Sequence, residues 1–306
     1  MENALKVKKK RLSREARDNI TGYGLIAPAL VALIVIGVVP ILITVSYSFQ
    51  YYVLTDPLNQ HFVGLENYIT LFKNPLFWRI LGNTMLFAVL SMLFQLVLGF
   101  AGAILMSKAM KATGLVRTAV LIPWAIPGII IAYTFSYMFN DQMGVLNSIL
   151  IASGVAETGV SMLTSSAGAM LVVVLADTWK QFPYVALMLM AGLQTIPEEY
   201  YEAASIDGAT KVQQFFRITL PNLKGIILIV LLFRTMGAIR IFDIIFGITG
   251  GGPANSTSTL LYQAYKYLFG DMNFGLGSAL STIITILILI ISIIYMKVLK
   301  TDEGRG

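Results

Sequence analysis

The 306-residue chain has no cysteine, which excludes disulfides and thiol chemistry. A single histidine, His61, excludes a His-based zinc site built within the chain. No G-x-x-x-x-G-K-[ST] loop occurs. The run Gly250-Gly251-Gly252-Pro253 lacks the lysine and reads as a turn, so the chain by itself has no phosphate cradle for ATP hydrolysis. Charge is also scarce. Only 12% of residues are Asp, Glu, Lys or Arg, against about 25% in a soluble domain. No nucleophile constellation is visible, and no paired carboxylates face each other at one expected depth.

What is present is apolar: 57% of the residues are hydrophobic. A spanning helix needs about 20 apolar residues. Six segments qualify, at roughly 25–47, 80–106, 119–139, 168–193, 225–249 and 276–297. The first is too long for a signal h-region and is expected to be retained. The chain therefore reads as an all-α membrane protein with six transmembrane helices.

Lys and Arg (22) exceed Asp and Glu (16), but their distribution argues for topology and against nucleic acid. An even number of spans puts both ends on one side. That side would carry Lys6, Lys8, Lys9, Lys10, Arg11, Arg14 and Arg17. It would also carry Lys108, Lys111, Arg117, Lys211, Arg217, Lys224, Lys297, Lys300 and Arg305. The other side would carry Lys73, Arg79 and Lys266. This asymmetry predicts cytoplasmic N- and C-termini. It divides the chain into a basic tail (1–22), a first helix with its external loop (23–79), a five-helix core (80–297) and a short C-terminal tail (298–306). Residues 48–79 are long enough for a small external cap. Tyr262, Tyr265, Tyr267 and Phe269 read as an interfacial aromatic belt.

The cytoplasmic segment 195–221 is expected to fold as an elbow. Thr195 and Glu198 have capping-box spacing, and Pro197 suits a first turn. Tyr200, Ala203, Ala204 and Asp207 fall on one helical face, and Gly208 ends the helix. A second short helix follows, with Val212, Phe215, Phe216 and Ile218 apolar, and Pro221 starts the fifth span. Glu198, Glu199 and Glu202 lie early in the first helix, where the helix dipole favours them.

Charges inside a span cost at least about 2.5–3.5 kcal/mol each and are functional candidates by default. At about 1.5 Å per residue, Asp177, Lys180 and Gln181 lie roughly 14–20 Å deep. Arg234 lies roughly 14 Å in from the opposite face, and Arg240 and Asp243 roughly 23–27 Å. The i,i+3 spacing lets Asp177 pair with Lys180 and Arg240 with Asp243. Ion pairs inside a bundle are one reading. A translocation pathway is the other: with Trp179, Tyr184 and Phe242 alongside, the mixture of polar groups and aromatic faces suits a sugar.

Glu202-Ala203-Ala204, then Gly208, then Ile218-Thr219-Leu220-Pro221 resembles the EAA signature of binding-protein-dependent ABC importer permeases. The run Ile206-Asp207-Gly208-Ala209 is most similar to the carbohydrate-uptake branch, that of the maltose-permease-like first subunits. So are Pro123 and Pro127 with Met138-Phe139-Asn140, Trp179 with Pro183, and Phe242-Asp243 before Gly251-Gly252-Pro253. The resemblance implies a type I importer fold in a bacterial or archaeal cytoplasmic (inner) membrane. It makes the elbow, including Ala209, the coupling helix for a separate ATPase. It implies four partners: a second homologous permease forming a heterodimer, two ATPase subunits and an extracytoplasmic sugar-binding protein. ATP and Mg would be used by the ATPases, and no cofactor would be bound by this chain. An ion-coupled secondary transporter is the rival reading, but it needs no elbow. An ABC permease for another small solute is a further rival.

Overall fold

The computed structural model describes residues 14–107, 113–155 and 159–303. Lys6, Lys8, Lys9, Lys10, Arg11, Lys108, Lys111 and Arg305, which contribute to the orientation argument, lie outside them.

The chain opens with α1 (Arg14–Ala32), which runs through a π-helical stretch, Leu33–Val38, into α2 (Val39–Ser48). Gly22–Ser48 is apolar, and its most apolar 18-residue stretch buries nothing, while α2 packs on the last helix of the chain. A small cap follows. β1 (Gln50–Tyr51) pairs antiparallel with β2 (His61–Phe62), and α3 (Glu66–Lys73) closes it. Buried Asn67 fastens the cap by donating from Nδ2 to Ser48 O at 3.0 Å and to Gln50 O at 2.8 Å.

The core is built on α4 (Pro75–Ser107), 33 residues long, packed against α8 (Ser166–Leu193). Small residues allow this approach, as they do in membrane bundles. A Cβ on Gly102 would lie 3.0 Å from Ala186 Cβ, and one on Gly99 would lie 3.0 Å from Val185 Cβ. Between α4 and α8 in sequence come α5 (Thr113–Ala125), α6 (Gly128–Met138) and α7 (Val145–Ala152). After α8 the elbow is α9 (Glu198–Ile206), α10 (Lys211–Gln214) and α11 (Leu220–Asn222). The chain continues as α12 (Lys224–Ile239), α13 (Asp243–Ile248), α14 (Leu260–Tyr265) and α15 (Phe274–Glu303).

Two of the expected spans are not single helices. The third breaks at Ile126-Pro127, with a 91° bend between Gly114–Ala125 and Gly128–Met138. Proline denies the residue before it the helical region, which places the break. The fifth is interrupted at 240–242, and Pro221 does not start it: α12 begins at Lys224 after a 69° bend. Among the described residues three helices are long and apolar enough to cross a membrane, or up to five if each bent pair counts as one. α8 has the length, at 28 residues, but carries a polar centre.

The tyrosines after Gly250-Gly251-Gly252-Pro253 do not form an outward belt. Tyr262 is buried, and it packs with Tyr265 and Phe242, whose ring lies 4.9 Å from that of Tyr265. Only Phe269 of the set is well exposed. Tyr262 and Tyr265 pack on Phe242, at the break between α12 and α13.

Candidate functional site

Three polar side chains meet in the apolar core. Arg234 Nη2 lies 3.2 Å from Asp177 Oδ2, and its Nε donates to Gln95 Oε1 at 2.7 Å. Gln95 Nε2 in turn donates to Asp177 Oδ2 at 2.8 Å. Asp177 is 2% exposed, Gln95 1% and Arg234 8%. The triad joins α4, α8 and α12. The contact unites residues that the rise per residue places roughly 14 Å in from opposite ends. Neither i,i+3 pair forms among the described residues. Asp177 turns to Arg234 and not to Lys180, while Arg240 Nε donates to Met236 O and Asp243 Oδ1 accepts from its neighbour Ile244 N. Local spacing permitted the pairs. Burial selected the partner that brings an opposite charge out of water: Gln95 and Arg234 both donate to Asp177 Oδ2. Gln95 was missed because a lone amide in an apolar run carries no spacing signal.

The two helix breaks come together. α13 packs on α6, with Gly247 against Ala132. Asp243, the first residue of α13, lays its carboxylate on Gly128, the first residue of α6. A Cβ on Gly128 would overlap Asp243 Oδ2 and would lie 3.2 Å from Lys180 Cε. A carboxylate and an ammonium stem thus meet at the start of an 11-residue half-helix, where open N–H groups and the helix dipole favour negative charge. Discontinuous helices meeting at depth are a recurrent way to build a polar site in a membrane.

The other expected pathway residues divide. Arg240 is exposed, and Lys180, Gln181, Tyr184, Phe242 and Asp243 are half-buried. Tyr184 faces Trp124 of α5 across 6.0 Å between rings, and Trp124 is an aromatic that the sequence did not single out. Trp179 stands apart from Asp177. It is 39% exposed, has its ring 6.2 Å from Phe135, and lines a shallow apolar cleft with Pro123 and Phe182.

The elbow is a built unit. α9 ends in a Schellman motif: Ala209 N donates to Ala204 O at 2.9 Å and Gly208 N to Ser205 O at 3.1 Å. Gly208 has φ +78°, the left-handed conformation that a side chain resists. The capping box expected at Thr195 is absent. Pro197 is the N-cap, without a side-chain bond, and Thr195 Oγ1 instead donates to Gly192 O at the end of α8. A capping box does occur one helix later: Thr210 Oγ1 accepts from Gln213 N at 3.3 Å, and Gln213 Oε1 accepts from Thr210 N at 2.8 Å. The two helices are stitched across. Buried Gln214 donates from Nε2 to Ser205 Oγ at 2.8 Å, and Tyr201 Oη is 2.9 Å from Thr219 Oγ1. Glu198, Glu199, Glu202, Ala203 and Asp207 all lie on the surface, while Ala204 and Ala209 are half-buried. The expected apolar side of the second helix splits. Val212 and Phe216 are exposed, whereas Phe215 and Ile218 turn inward.

Residues 95–301 match the family model described as binding-protein-dependent transport system inner membrane component. The chain is 39% identical over 283 residues to the trehalose/maltose transport system permease protein MalF of Thermococcus litoralis, covering 92% of this chain and 94% of the relative. It is 36% identical over 304 residues to the sulfoquinovosyl glycerol transport system permease protein SmoG of Agrobacterium fabrum, covering 98% of each. Its fold superposes with a TM-score of 0.79 on a chain of a bacterial ABC transporter involved in the import of the acidic polysaccharide alginate. That match is at 20% identity and covers 94% of this chain and 98% of the other. With the matched region spanning the broken helices, the polar core and the capped elbow alike, the chain belongs to the inner membrane components of binding-protein-dependent transport systems.

Proposed function

We propose that this chain is one of two permease subunits of an ATP-driven importer that carries a sugar or oligosaccharide inward by alternating access. The observation that carries the reading is the elbow. It is a Schellman-capped helix, a glycine at φ +78° and a second capped helix, internally stitched and presenting acidic side chains and Ala203 to solvent. A rigid projection of this kind moves as a body and transmits movement to α8 and α12, which flank it. An independent carrier has no use for it. The sugars named for the relatives support the substrate class.

In this reading six spans cross a cytoplasmic (inner) membrane with both termini inside. Two ATPase subunits bind the elbows of this chain and of a second, homologous permease, and an external binding protein delivers the sugar. ATP and Mg are used by the ATPases. The sugar passes the place where the breaks meet, with Lys180, Gln181, Tyr184, Arg240, Phe242 and Asp243 offering hydrogen bonds and ring faces. Asp177, Trp179 and Arg234 lie off this line: the first and third hold the core, and Trp179 faces another cleft.

The test uses the complete importer reconstituted from co-expressed subunits. Loaded binding protein should stimulate ATP hydrolysis, and Glu202→Lys should abolish the stimulation while leaving the permease inserted. Stimulation equal to the parent would overturn the coupling role. A cytoplasm-active reporter joined near residue 112 should be active and one near 155 silent. The reverse pattern would overturn the six-span topology.

A further inference from the structure

A cleft of about 470 Å³ lies between α4 and α8 at the end of α4 that carries Trp78. Its mouth is polar and its depth is not. Arg79, Asn83, Ser166 and Ser256 line the mouth, and Leu86, Leu90 and Leu171 line the slope below.

Three independent features of the mouth point to an oxyanion. Arg79 is exposed and forms no ion pair among the described residues. Ser256 is only 8% exposed, yet its hydroxyl has no hydrogen-bond partner among the described residues, an expensive condition for a buried donor unless a ligand completes it. Ser166 and Ala167, which also lines the cleft, are the first residues of the 28-residue α8. The Ser165 side chain caps only the Gly168 N–H, so the positive end of the helix stays open toward the cleft. Asn83 fixes the arrangement by donating from Nδ2 to Asn255 O at 2.8 Å and Ser258 O at 3.2 Å, on either side of Ser256.

The surroundings say which oxyanion. Below the mouth the wall is apolar and opens onto the face of α4 where Leu86, Val89 and Leu93 are 50%, 59% and 57% exposed. That is the surface a membrane span shows to acyl chains. Trp78 stands beside Arg79 and donates from Nε1 to Phe72 O at 2.9 Å. Paired Trp and Arg mark the headgroup level of a bilayer. No carboxylate lines the cleft, so nothing there would hold the ammonium of a zwitterionic headgroup. A free phosphate would leave the apolar slope unused.

We propose that the cleft is a binding site for one anionic phospholipid. Its phosphate sits on Arg79, the Ser256 hydroxyl and the N-terminus of α8, and an acyl chain lies along Leu86, Leu90 and Leu171. The proposal rests on the membrane reading of the family but not on the sugar. The leaflet concerned is the outer one if the basic residues orient the chain as argued above.

The test is native mass spectrometry of the complete importer in detergent, titrated with phosphatidylglycerol and, separately, with phosphatidylcholine. The parent should retain phosphatidylglycerol in preference to phosphatidylcholine. Arg79→Gln should weaken retention about tenfold, the size of one charge-assisted hydrogen bond. Leu171→Trp, which fills the slope without touching the phosphate groups, should weaken it by a similar factor. Lys73→Gln, on the same side but outside the cleft, should change nothing. The site is refuted if Arg79→Gln and Leu171→Trp both retain lipid like the parent, or if Lys73→Gln loses as much as Arg79→Gln. It is refuted as a lipid site if inorganic phosphate displaces phosphatidylglycerol from the parent, or if both lipids are held equally. No transport is measured, so failure here leaves the transport reading standing.

Discussion

The buried core and the exposed elbow hold their shapes by opposite means. In the core, Gln95, Asp177 and Arg234 satisfy one another across as many as 139 residues of sequence. In the elbow, the bonds that fix the turn run between residues three to five apart, and the stitches between its helices span only nine and eighteen. The medium explains the difference. Deep among apolar helices no water can complete a charge, so partners must come from other helices, and removing one leaves the others stranded. In water a local cap is enough, because a lost bond is replaced by solvent at modest cost. Each contrast can be broken by substitution.

The largest effect is expected in the core. Asp177→Leu leaves Arg234 buried and unpaired, which costs about 3–5 kcal/mol. The variant should lose most of its monodisperse protein in detergent. Asp177→Leu combined with Arg234→Met should recover much of the loss, since an apolar replacement of a buried pair is often neutral. Recovery measured as thermal midpoint would assign the triad to structure. A stable, fully active single variant would remove it from the core's framework.

Next comes the place where the helix breaks meet. Gly128→Ala forces Asp243 off the start of α6, an overpacking change of about 1–3 kcal/mol. Transport should fall about tenfold, the rate equivalent of roughly 1.4 kcal/mol. Co-purification of the ATPase should remain intact. Loss of the ATPase together with transport would show a fold defect and not a site defect.

Gly208→Val acts on the elbow. A β-branched residue at φ +78° costs about 1–2 kcal/mol. The expected result is ATP hydrolysis that no longer responds to loaded binding protein. Gly208→Asn should restore part of the response, because Asn tolerates the left-handed region. Equal behaviour of the two variants would show that backbone conformation is not what matters at this turn.

The smallest effect is expected from Thr210→Ala, which removes half of a capping box, worth about 1 kcal/mol. Faster amide exchange confined to α10 should accompany nearly normal transport. Collapse of transport would mean that the elbow tolerates far less fraying than its other stitches suggest.

Much of the elbow was legible in the sequence because its logic is local. Glycine after a helical run marks a C-terminus, and the signature positions Ala204, Gly208 and Ala209 turn out to be the donor and acceptor positions of one Schellman motif. The N-terminal reading failed for an equally local reason. Thr195 is spent on closing α8, so Glu198 opens the helix instead of standing at its third position. Thr210 and Gln213 have the same spacing, and there the capping box forms.

The site in the apolar core was only half legible. That Asp177, Lys180, Arg234, Arg240 and Asp243 matter follows from the cost of burying charge, which needs no structure. Which of them touch does not follow. Spacing offered Lys180 to Asp177 and Arg240 to Asp243, whereas packing gave Asp177 to Arg234 and laid Asp243 on Gly128.

Composition by itself determined that the chain is a bundle of apolar helices, because burial of this much hydrocarbon has few solutions. Sequence spacing determined the helix-glycine-helix elbow, because hydrogen bonds three to five residues apart are set by neighbours. Only the tertiary structure decided that two of the expected spans are broken, and that their breaks meet. It also decided which polar side chains are locked together and which remain available. The physical reason is distance: those choices depend on helices far apart in sequence competing to satisfy the same few polar atoms where water cannot.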